Sequence, residues 1–179
     1  MLITELRYTG VIFDCVQREW NNVMRDGFRE LGLYWMANFR AKHFTNAGAA
    51  EYGYAPRQGD AGRLGTHGFK RSYQGRKLRA KGHTRPLTWS GDTEKKTRTA
   101  RVVAFSTSKE SRVEIRINAP TLNLKRPGSA INMREEMTRI SPAEKTVLQT
   151  VLENYIKGRI PKIPPRPRQA RGADGRLIK

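Results

Sequence analysis

The side chains that most often bind metal ions or act as nucleophiles are few in this sequence and stand far apart. The histidines are His43, His67 and His83, and the single cysteine is Cys15. Structural zinc ligands come in pairs about two to five residues apart, and no such pair is present. A single cysteine also excludes an intrachain disulfide. We therefore expect no metal site and no cofactor, and we interpret the histidines as surface or structural residues.

Carboxylates that could hold a catalytic ion are sparse where the chain is most basic. Asp60, Asp92 and Glu94 are the only acids between Pro56 and Arg101. A metal-dependent nuclease gathers carboxylates around divalent ions, so three scattered acids give that activity weak support. The sequence also lacks a phosphate-binding loop, a dinucleotide fingerprint and a nucleophile elbow. We therefore predict that the protein is not an enzyme, with a nuclease acting through these acids as an alternative.

Positive charge is the most prominent chemical feature of the chain. It has 35 Lys and Arg against 16 Asp and Glu, a formal net charge of +19. Residues 56–101 hold thirteen basic and three acidic residues, net +10, and residues 158–179 hold seven and one, net +6. Charge of this size opposes compaction, so we expect a polyanion or an acidic protein beside these stretches. The residues that we expect to face nucleic acid or an acidic partner are Arg57, Arg63, Lys70, Arg71, Arg76, Lys77, Arg79, Lys81, Arg166, Arg168 and Arg171.

Aromatic side chains are interleaved with the first basic stretch. Next to Arg and Lys, aromatic rings can stack on unpaired bases. They can equally anchor a loop to a neighbouring subunit, because Tyr, Trp and Arg dominate interface hot spots. We favour the second interpretation, since nothing here resembles a single-strand-binding fold. The residues that we expect at a subunit interface are Tyr52, Tyr54, Trp89, Trp20, Phe28 and Trp35.

A long amphipathic helix must carry much of this chemistry. Apolar residues at spacings of three and four predict it over residues 14–42, with Asp14 as its N-cap. A helix of about 27 residues spans roughly 40 Å, more than this domain needs for its own core, so we expect part of it to contact a neighbour. Gly27 and Gly32 either let another segment approach closely or are tolerated by a well-packed helix.

Shorter elements surround this helix. A weak period-2 pattern predicts a strand over residues 2–13, and a glycine-rich stretch without periodicity predicts a long loop over residues 45–68. Residues 69–81 predict a short basic helix that ends at Gly82. The segment from Arg85 to Thr93 predicts extended backbone.

The second half of the chain predicts a hairpin and a helix. Residues 99–106 and 112–118 read as two antiparallel strands. Ser141 to Glu144 form a capping box that opens a helix ending at Gly158. We therefore predict an α+β fold: a long N-terminal amphipathic helix packed on a small antiparallel sheet, a second helix near the C-terminus, a long glycine-rich loop and an extended basic C-terminal arm.

The domain organisation follows from these elements. Residues 1–157 are expected to form one domain, and residues 158–179 a Pro-rich basic arm. That arm could contact nucleic acid, dock on a partner or remain a solubilising end. No apolar run reaches the about 18 residues that cross a bilayer, and the N-terminus lacks the pattern of a secretory signal. We therefore expect no membrane partner and synthesis in a reducing cytoplasm.

The order of elements resembles a known family. The long helix ends in Phe39 to Phe44, a Gly/Tyr loop and a basic stretch follow, and Pro86-Leu87-Thr88-Trp89-Ser90-Gly91 precedes the hairpin. This order is similar to that of the tailed-phage neck and tail-completion (head–tail joining, minor tail) proteins. Those proteins commonly carry a Pro-Leu-x-x-Ser/Thr-Gly element between a long helix and a short sheet. The resemblance covers about residues 14–157.

The resemblance implies a structural virion protein that is assembled in the host cytoplasm. It would form a ring of 6 or 12 copies between the portal or adaptor and the tail terminator or tail tube. Double-stranded DNA would pass through the channel, where a basic lumen meets phosphates without reading sequence. The alternative is a sequence-nonspecific nucleic-acid-binding module, such as a ribosome-associated or DNA-packaging protein.

Overall fold

The computed structural model describes residues 17–59, 62–124 and 129–159. Over these ranges the fold is α+β and mostly helical, which confirms the predicted class. Short 3-10 turns follow the first helix and the second strand. The elements, in chain order, are α1 (Gln17–Asn38), a 3-10 turn (Arg40–Phe44), α2 (Asn46–Glu51), α3 (His67–Arg71), α4 (Tyr73–Lys81), α5 (Asp92–Arg98), β1 (Arg101–Ser106), β2 (Ser111–Arg116), a 3-10 turn (Pro120–Asn123), α6 (Met133–Thr138) and α7 (Pro142–Arg159).

Helix α1 is the central element, and its apolar stripe is buried along its whole length. Trp20, Met24, Phe28, Leu31 and Trp35 recur at spacings of three and four and are all buried. One side of the helix packs on the two strands and another on α7. An apolar stripe of this width is typical of a helix that is covered by a single core.

This packing corrects one expectation for the long helix. Trp20, Phe28 and Trp35 were predicted to contact a neighbouring subunit, but they belong to the hydrophobic core of their own chain. The hairpin and α7 together cover the apolar stripe of the 22-residue α1, and a contact of its exposed face with a neighbour stays a prediction. The predicted strand over residues 2–13 and the cap Asp14 lie outside the described residues.

Strands β1 and β2 form the predicted antiparallel hairpin. Val102 pairs with Ile115 and Ala104 with Val113, and these four side chains join the core. The alternate residues face outward, where Glu114 is buried between two arginines that contact its carboxylate at 2.8 and 3.5 Å. One buried face and one charged face are what the strict alternation of β2 predicts.

Helix α7 begins with the predicted capping box. The Ser141 hydroxyl accepts a hydrogen bond from the Glu144 amide at 3.2 Å, and the Glu144 carboxylate accepts one from the Ser141 amide at 3.3 Å. Pro142 fits the first helical position because no intrahelical partner exists for an amide there. The helix continues through Gly158 to Arg159, so the predicted end was slightly early.

The glycines of α1 are sites of close approach. An ideal Cβ on Gly32 would lie 2.6 Å from Val102 Cγ1 and 2.8 Å from Val113 Cγ2. On Gly27 it would lie 3.0 Å from Cδ1 of Tyr155 in α7. The two glycines therefore let the hairpin and α7 reach the helix, which supports the first of the two sequence interpretations.

Two local predictions were wrong, and two helices, α5 and α6, were not predicted. The loop expected over residues 45–68 contains α2, whose N-cap Thr45 accepts a hydrogen bond from the Gly48 amide at 3.0 Å. The single basic helix expected over residues 69–81 is two helices. Helix α5 was not predicted, although acids in its first turn and cations in its last turn are favourable for a helix.

Candidate functional site

Two short helices carry most of the predicted basic residues, and one serine fixes their arrangement. Ser72 is extended (φ −67°, ψ 168°) and separates α3 from α4. Its hydroxyl accepts a hydrogen bond from the Gly75 amide at 3.1 Å and donates one to the Phe69 carbonyl at 2.7 Å. A Cβ on Gly75 would lie 1.9 Å from that carbonyl oxygen, so only glycine fits this junction. A serine that can cap a helix competes with helix continuation, which explains the break.

We call the exposed cations of α3 and α4 the basic face. No carboxylate pairs with any of them within the part of the chain that the structure describes. At such positions a charged side chain stays solvated and free to meet an anion. The basic face consists of Lys70, Arg71, Arg76, Arg79 and Lys81.

The positive potential also affects a neighbouring histidine. The pKa of His83 is lowered by desolvation and by the charges of Arg85, Lys77 and Lys81. Arg63, which was predicted with the basic set, is exposed in the segment just before α3. Arg166, Arg168 and Arg171 of the same set lie outside the described residues.

Two residues of the predicted basic set do not face solvent. The Lys77 ammonium donates to the Arg85 carbonyl and lies 5.5 Å from the centroid of the Tyr73 ring. Arg57 is paired in a bidentate fashion with the carboxylate of Glu136, and both side chains are buried. These two cations are paired within the chain, so the expectation that they are exposed to nucleic acid is wrong.

A groove of about 1,110 Å³ lies beside the basic face. Arg76 and Arg79 of α4 line one side, and the turn from Pro86 to Ser90 lines another. Aliphatic side chains complete its walls, including Leu124, which is 66 % exposed. The groove thus combines an apolar surface with two exposed guanidinium groups.

The turn beside the groove contains the Pro-Leu-x-x-Ser-Gly element. Pro86, Leu87 and Thr88 are buried, whereas Trp89 is 47 % exposed and its ring lies 5.8 Å from that of Tyr73. Trp89 is the one predicted interface aromatic whose ring remains open to a partner among the described residues.

The backbone of this turn explains its residue types. Leu87 has φ +52°, a left-handed conformation that costs a branched side chain roughly 1–3 kcal/mol. Gly91 has φ +86° and precedes α5, where glycine carries no such cost. The Ser90 hydroxyl donates to the Asp92 carboxylate at 2.7 Å and so fixes the start of α5. Strain held in place at the wall of a groove is typical of functional segments.

The predicted aromatics Tyr52 and Tyr54 belong to a buried network that we call the clasp. It joins the segment after α2 to α6 and α7. The Tyr52 ring stacks on His43 with centroids 4.1 Å apart, and the His43 Nδ1 atom lies 2.5 Å from the Tyr54 hydroxyl oxygen. The Tyr52 hydroxyl donates to Glu144. The expectation that these tyrosines contact another subunit is therefore wrong.

Burial sets the protonation states of the clasp. Desolvation lowers the pKa of His43 to about 4, and the backbone of Glu136 opposes this shift. The pKa of Tyr52 is raised by burial and then by its hydrogen bond to Glu144. The pKa of Tyr54 is raised by burial and by the Glu136 charge. All three groups are neutral near pH 7, as a structural network requires.

Within residues 17–59, 62–124 and 129–159, no three His, Cys, Asp or Glu side chains converge as metal ligands. The Asp92 carboxylate accepts a hydrogen bond from the Ser90 hydroxyl, and the Glu94 carboxylate pairs with the Arg98 guanidinium at 3.2 Å. Asp60 lies outside the described residues. None of the described helices is long and apolar enough to cross a membrane.

Sequence reasoning missed the groove and the clasp for different reasons. The groove joins α4, the Pro86 turn and the segment around Ile131, which are up to about 60 residues apart in the chain. Two buried carboxylates are the signal that could have revealed the clasp. Glu144 lies in the first turn of the predicted helix α7, and Glu136 lies in α6. Buried carboxylates require partners, and Arg57 and Tyr52 supply them.

Comparison of the chain with known proteins finds no matching family model, no significantly similar curated protein and no significantly similar solved structure.

Proposed function

We propose that this chain is a non-enzymatic structural subunit of a ring in the neck of a tailed phage. The ring would join the portal or adaptor to the tail around the DNA channel. The observation that carries this proposal is the basic face, a set of exposed cations on α3 and α4 without carboxylate partners among the described residues. Such a surface is matched by a polyanion held close to it.

The element order supports the neck over other assemblies. The Pro-Leu-x-x-Ser-Gly element stands between a long helix and a hairpin, as in the neck and tail-completion proteins that the sequence resembles. In this chain the element forms a strained turn at Leu87 that presents Trp89 beside the groove. A subunit of a closed ring needs two different patches that meet head to tail. The groove offers a contact surface for a neighbouring protein, and Lys70, Arg71 and Lys81 of the basic face lie outside the groove lining and remain available for the channel.

The basic face suits a channel better than sequence-specific recognition. Its cations lie on short helices, and contacts of Arg and Lys with phosphates position a duplex without reading its bases. A single copy offers few phosphate contacts, whereas a ring repeats the face around the duplex. The proposal therefore predicts weak DNA binding by one copy and stronger binding by the assembled ring.

The alternative is a nucleic-acid-binding module that acts as a free monomer. Arg76 and Arg79 beside the exposed ring of Trp89 favour it, because cations and aromatic rings together bind single strands. If all five cations of the basic face contacted a duplex, the slope of log K against log salt would be about −4.5. Tight binding by the monomer with such a slope would favour the alternative.

Native mass spectrometry tests the ring proposal. The chain is measured alone and mixed with the virion proteins encoded beside it, and we expect complexes with 6 or 12 copies. A strict monomer under both conditions would contradict the proposal.

Charge variants test the role of the basic face within that experiment. Lys70, Arg71 and Lys81, the cations of the basic face that lie outside the groove lining, are changed together to Gln, and three exposed cations elsewhere, Arg29, Lys109 and Lys145, serve as the matched control. We expect the first variant to assemble normally but to lose DNA affinity in the ring. Equal DNA affinity of the two variants would remove the basic face as the DNA-contacting surface.

A further inference from the structure

We infer that the groove between α4 and the Pro86 turn binds an extended segment of a partner protein in which apolar side chains alternate with carboxylates. This inference rests on the proposed function in one respect, because the partner would be a neighbouring protein of the neck. The binding chemistry itself rests on the groove.

The size and lining of the groove favour a peptide chain. Its volume of about 1,110 Å³ lies at the upper end of the roughly 300–1,000 Å³ typical of ligand pockets, and its lining joins α4, the Pro86 turn and the segment around Ile131. Pro86, Leu87, Leu124, Ile131 and Met133 line it with aliphatic surface. Apolar side chains of an extended segment would be buried against these residues, at a gain of about 25 cal/mol per Å² of apolar area.

The charge of the groove selects an acidic occupant. Arg57, Arg76, Lys77 and Arg79 line it, whereas no carboxylate does so among the described residues. Arg57 is compensated by Glu136, so Arg76 and Arg79 supply the exposed charge. The chain's own arm at residues 158–179, with a net charge of +6, is the wrong sign for this site. An acidic segment from another protein has the complementary charge.

Thr88 is a second feature that points to an occupant. It lines the groove, is only 3 % exposed, and its hydroxyl has no hydrogen-bond partner among the described residues. A buried hydroxyl without a partner costs about 1–3 kcal/mol. The backbone of an extended segment provides both donors and acceptors along its length, and one of them can satisfy this hydroxyl after a small adjustment of the turn.

Trp89 supplies the anchor at the edge of the groove. Its ring is 47 % exposed and is supported on one side by Tyr73. Exposed aromatic residues beside apolar pockets are the usual hot spots of protein interfaces. A single-stranded nucleic acid would need several successive rings as stacking platforms, and the described lining holds two rings, Tyr73 and Trp89, that already contact each other.

Peptide libraries test the inference directly. Two pools of labelled ten-residue peptides are presented to the full chain, one alternating apolar residues with Asp or Glu and one alternating them with Lys or Arg. An oligothymidylate of ten nucleotides is the nucleic-acid comparison. We expect enrichment from the acidic pool only. No enrichment from that pool, or tighter binding of the oligothymidylate at the same site, would overturn the inference.

Variants of the groove identify the site of binding. Trp89→Ala and the double variant Arg76→Glu/Arg79→Glu should each weaken an enriched peptide at least ten-fold. Lys95→Glu/Lys96→Glu reverses two exposed charges on α5, outside the groove lining, and should change affinity far less. Unchanged far-UV circular dichroism and unfolding midpoints establish that all variants fold. Equal affinities of the groove and control variants would overturn the inference.

The two proposals fail separately. Peptide binding that depends on the groove, in a protein that never forms rings, would support the groove inference and contradict the neck role. Ring formation without any acidic-pool enrichment would contradict the groove inference and leave the neck role standing.

Discussion

Replacing Gly32 by alanine tests the packing of α1 against the hairpin. The new Cβ would lie 2.6 Å from Cγ1 of Val102 and 2.8 Å from Cγ2 of Val113. Carbon atoms in good contact are about 3.5–4.0 Å apart, so two overlaps of roughly 1 Å arise at once. The valines are stiff at χ1 and belong to paired strands, so relief requires movement of the helix or of the hairpin.

The expected cost can be worked out from two opposing terms. Overpacking of a core costs about 1–3 kcal/mol, and two simultaneous overlaps place Gly32→Ala near the upper end. Alanine favours the helix by about 1 kcal/mol over glycine. We therefore expect a net loss of about 2 kcal/mol in the free energy of unfolding. For a chain of this length that loss lowers Tm by about 4–8 °C.

Urea unfolding followed by circular dichroism measures this loss, and the chain offers a matched control. Gly158 lies in α7 with no atom within 4 Å of its ideal Cβ. Gly158→Ala should therefore leave the stability unchanged or raise it by up to about 1 kcal/mol. Gly27→Ala, with contacts of 3.0 and 3.1 Å to flexible side chains of α7, should fall between the two.

A second change identifies the source of the loss. Val102→Ala should cost less in the Gly32→Ala background than in the natural chain, because it removes one of the overlapping methyl groups. Equal stability of Gly32→Ala and Gly158→Ala would refute the close packing of α1 on the hairpin.

Three further predictions concern the clasp and the buried Arg57–Glu136 pair. Because His43 is neutral in the fold with a pKa of about 4 and has an ordinary pKa near 6.5 when unfolded, its contribution to stability is present above pH 6.5 and is lost as the pH falls to 4. The loss totals about 3 kcal/mol. When the free energy of unfolding is measured by urea titration at several pH values, a His43→Gln variant should lack this part of the pH dependence. Arg57→Met should lower the free energy of unfolding by about 3–5 kcal/mol, because it leaves the Glu136 carboxylate buried without its cation. Adding Glu136→Gln should recover part of this loss. An Arg57→Met variant as stable as the natural protein would show that the pair is not buried. Tyr52→Phe removes the hydroxyl that donates to Glu144 and should lower the free energy of unfolding by about 1–3 kcal/mol, whereas an unchanged urea midpoint would speak against that hydrogen bond.

Periodic patterns predicted the regular elements of the fold. The stripe of α1, the alternation of β2 and the capping box at Ser141 each act over a few neighbouring residues, so they can be read from the sequence. The break at Ser72 was missed because a serine inside a basic run looks neutral until its cap and the contact at Gly75 are known.

The candidate site was predictable only in part. Which cations are exposed depends on distant partners, and Arg57 is buried because Glu136 reaches it from 79 residues away. Aromatic residues raise the same difficulty. Tyr52 and Trp89 were both predicted at a subunit interface, yet one stacks on His43 in the clasp and the other remains exposed beside the groove. Local composition reports the chemistry that is available, and tertiary packing decides where it is used.

Electron cryomicroscopy of the chain assembled with its virion neighbours tests most directly whether it forms a DNA channel. We predict a ring of six or twelve copies in which Lys70, Arg71 and Lys81 point into the lumen. A particle in which the chain remains a single copy, or a ring whose basic face lies on the outside, would contradict the proposed function.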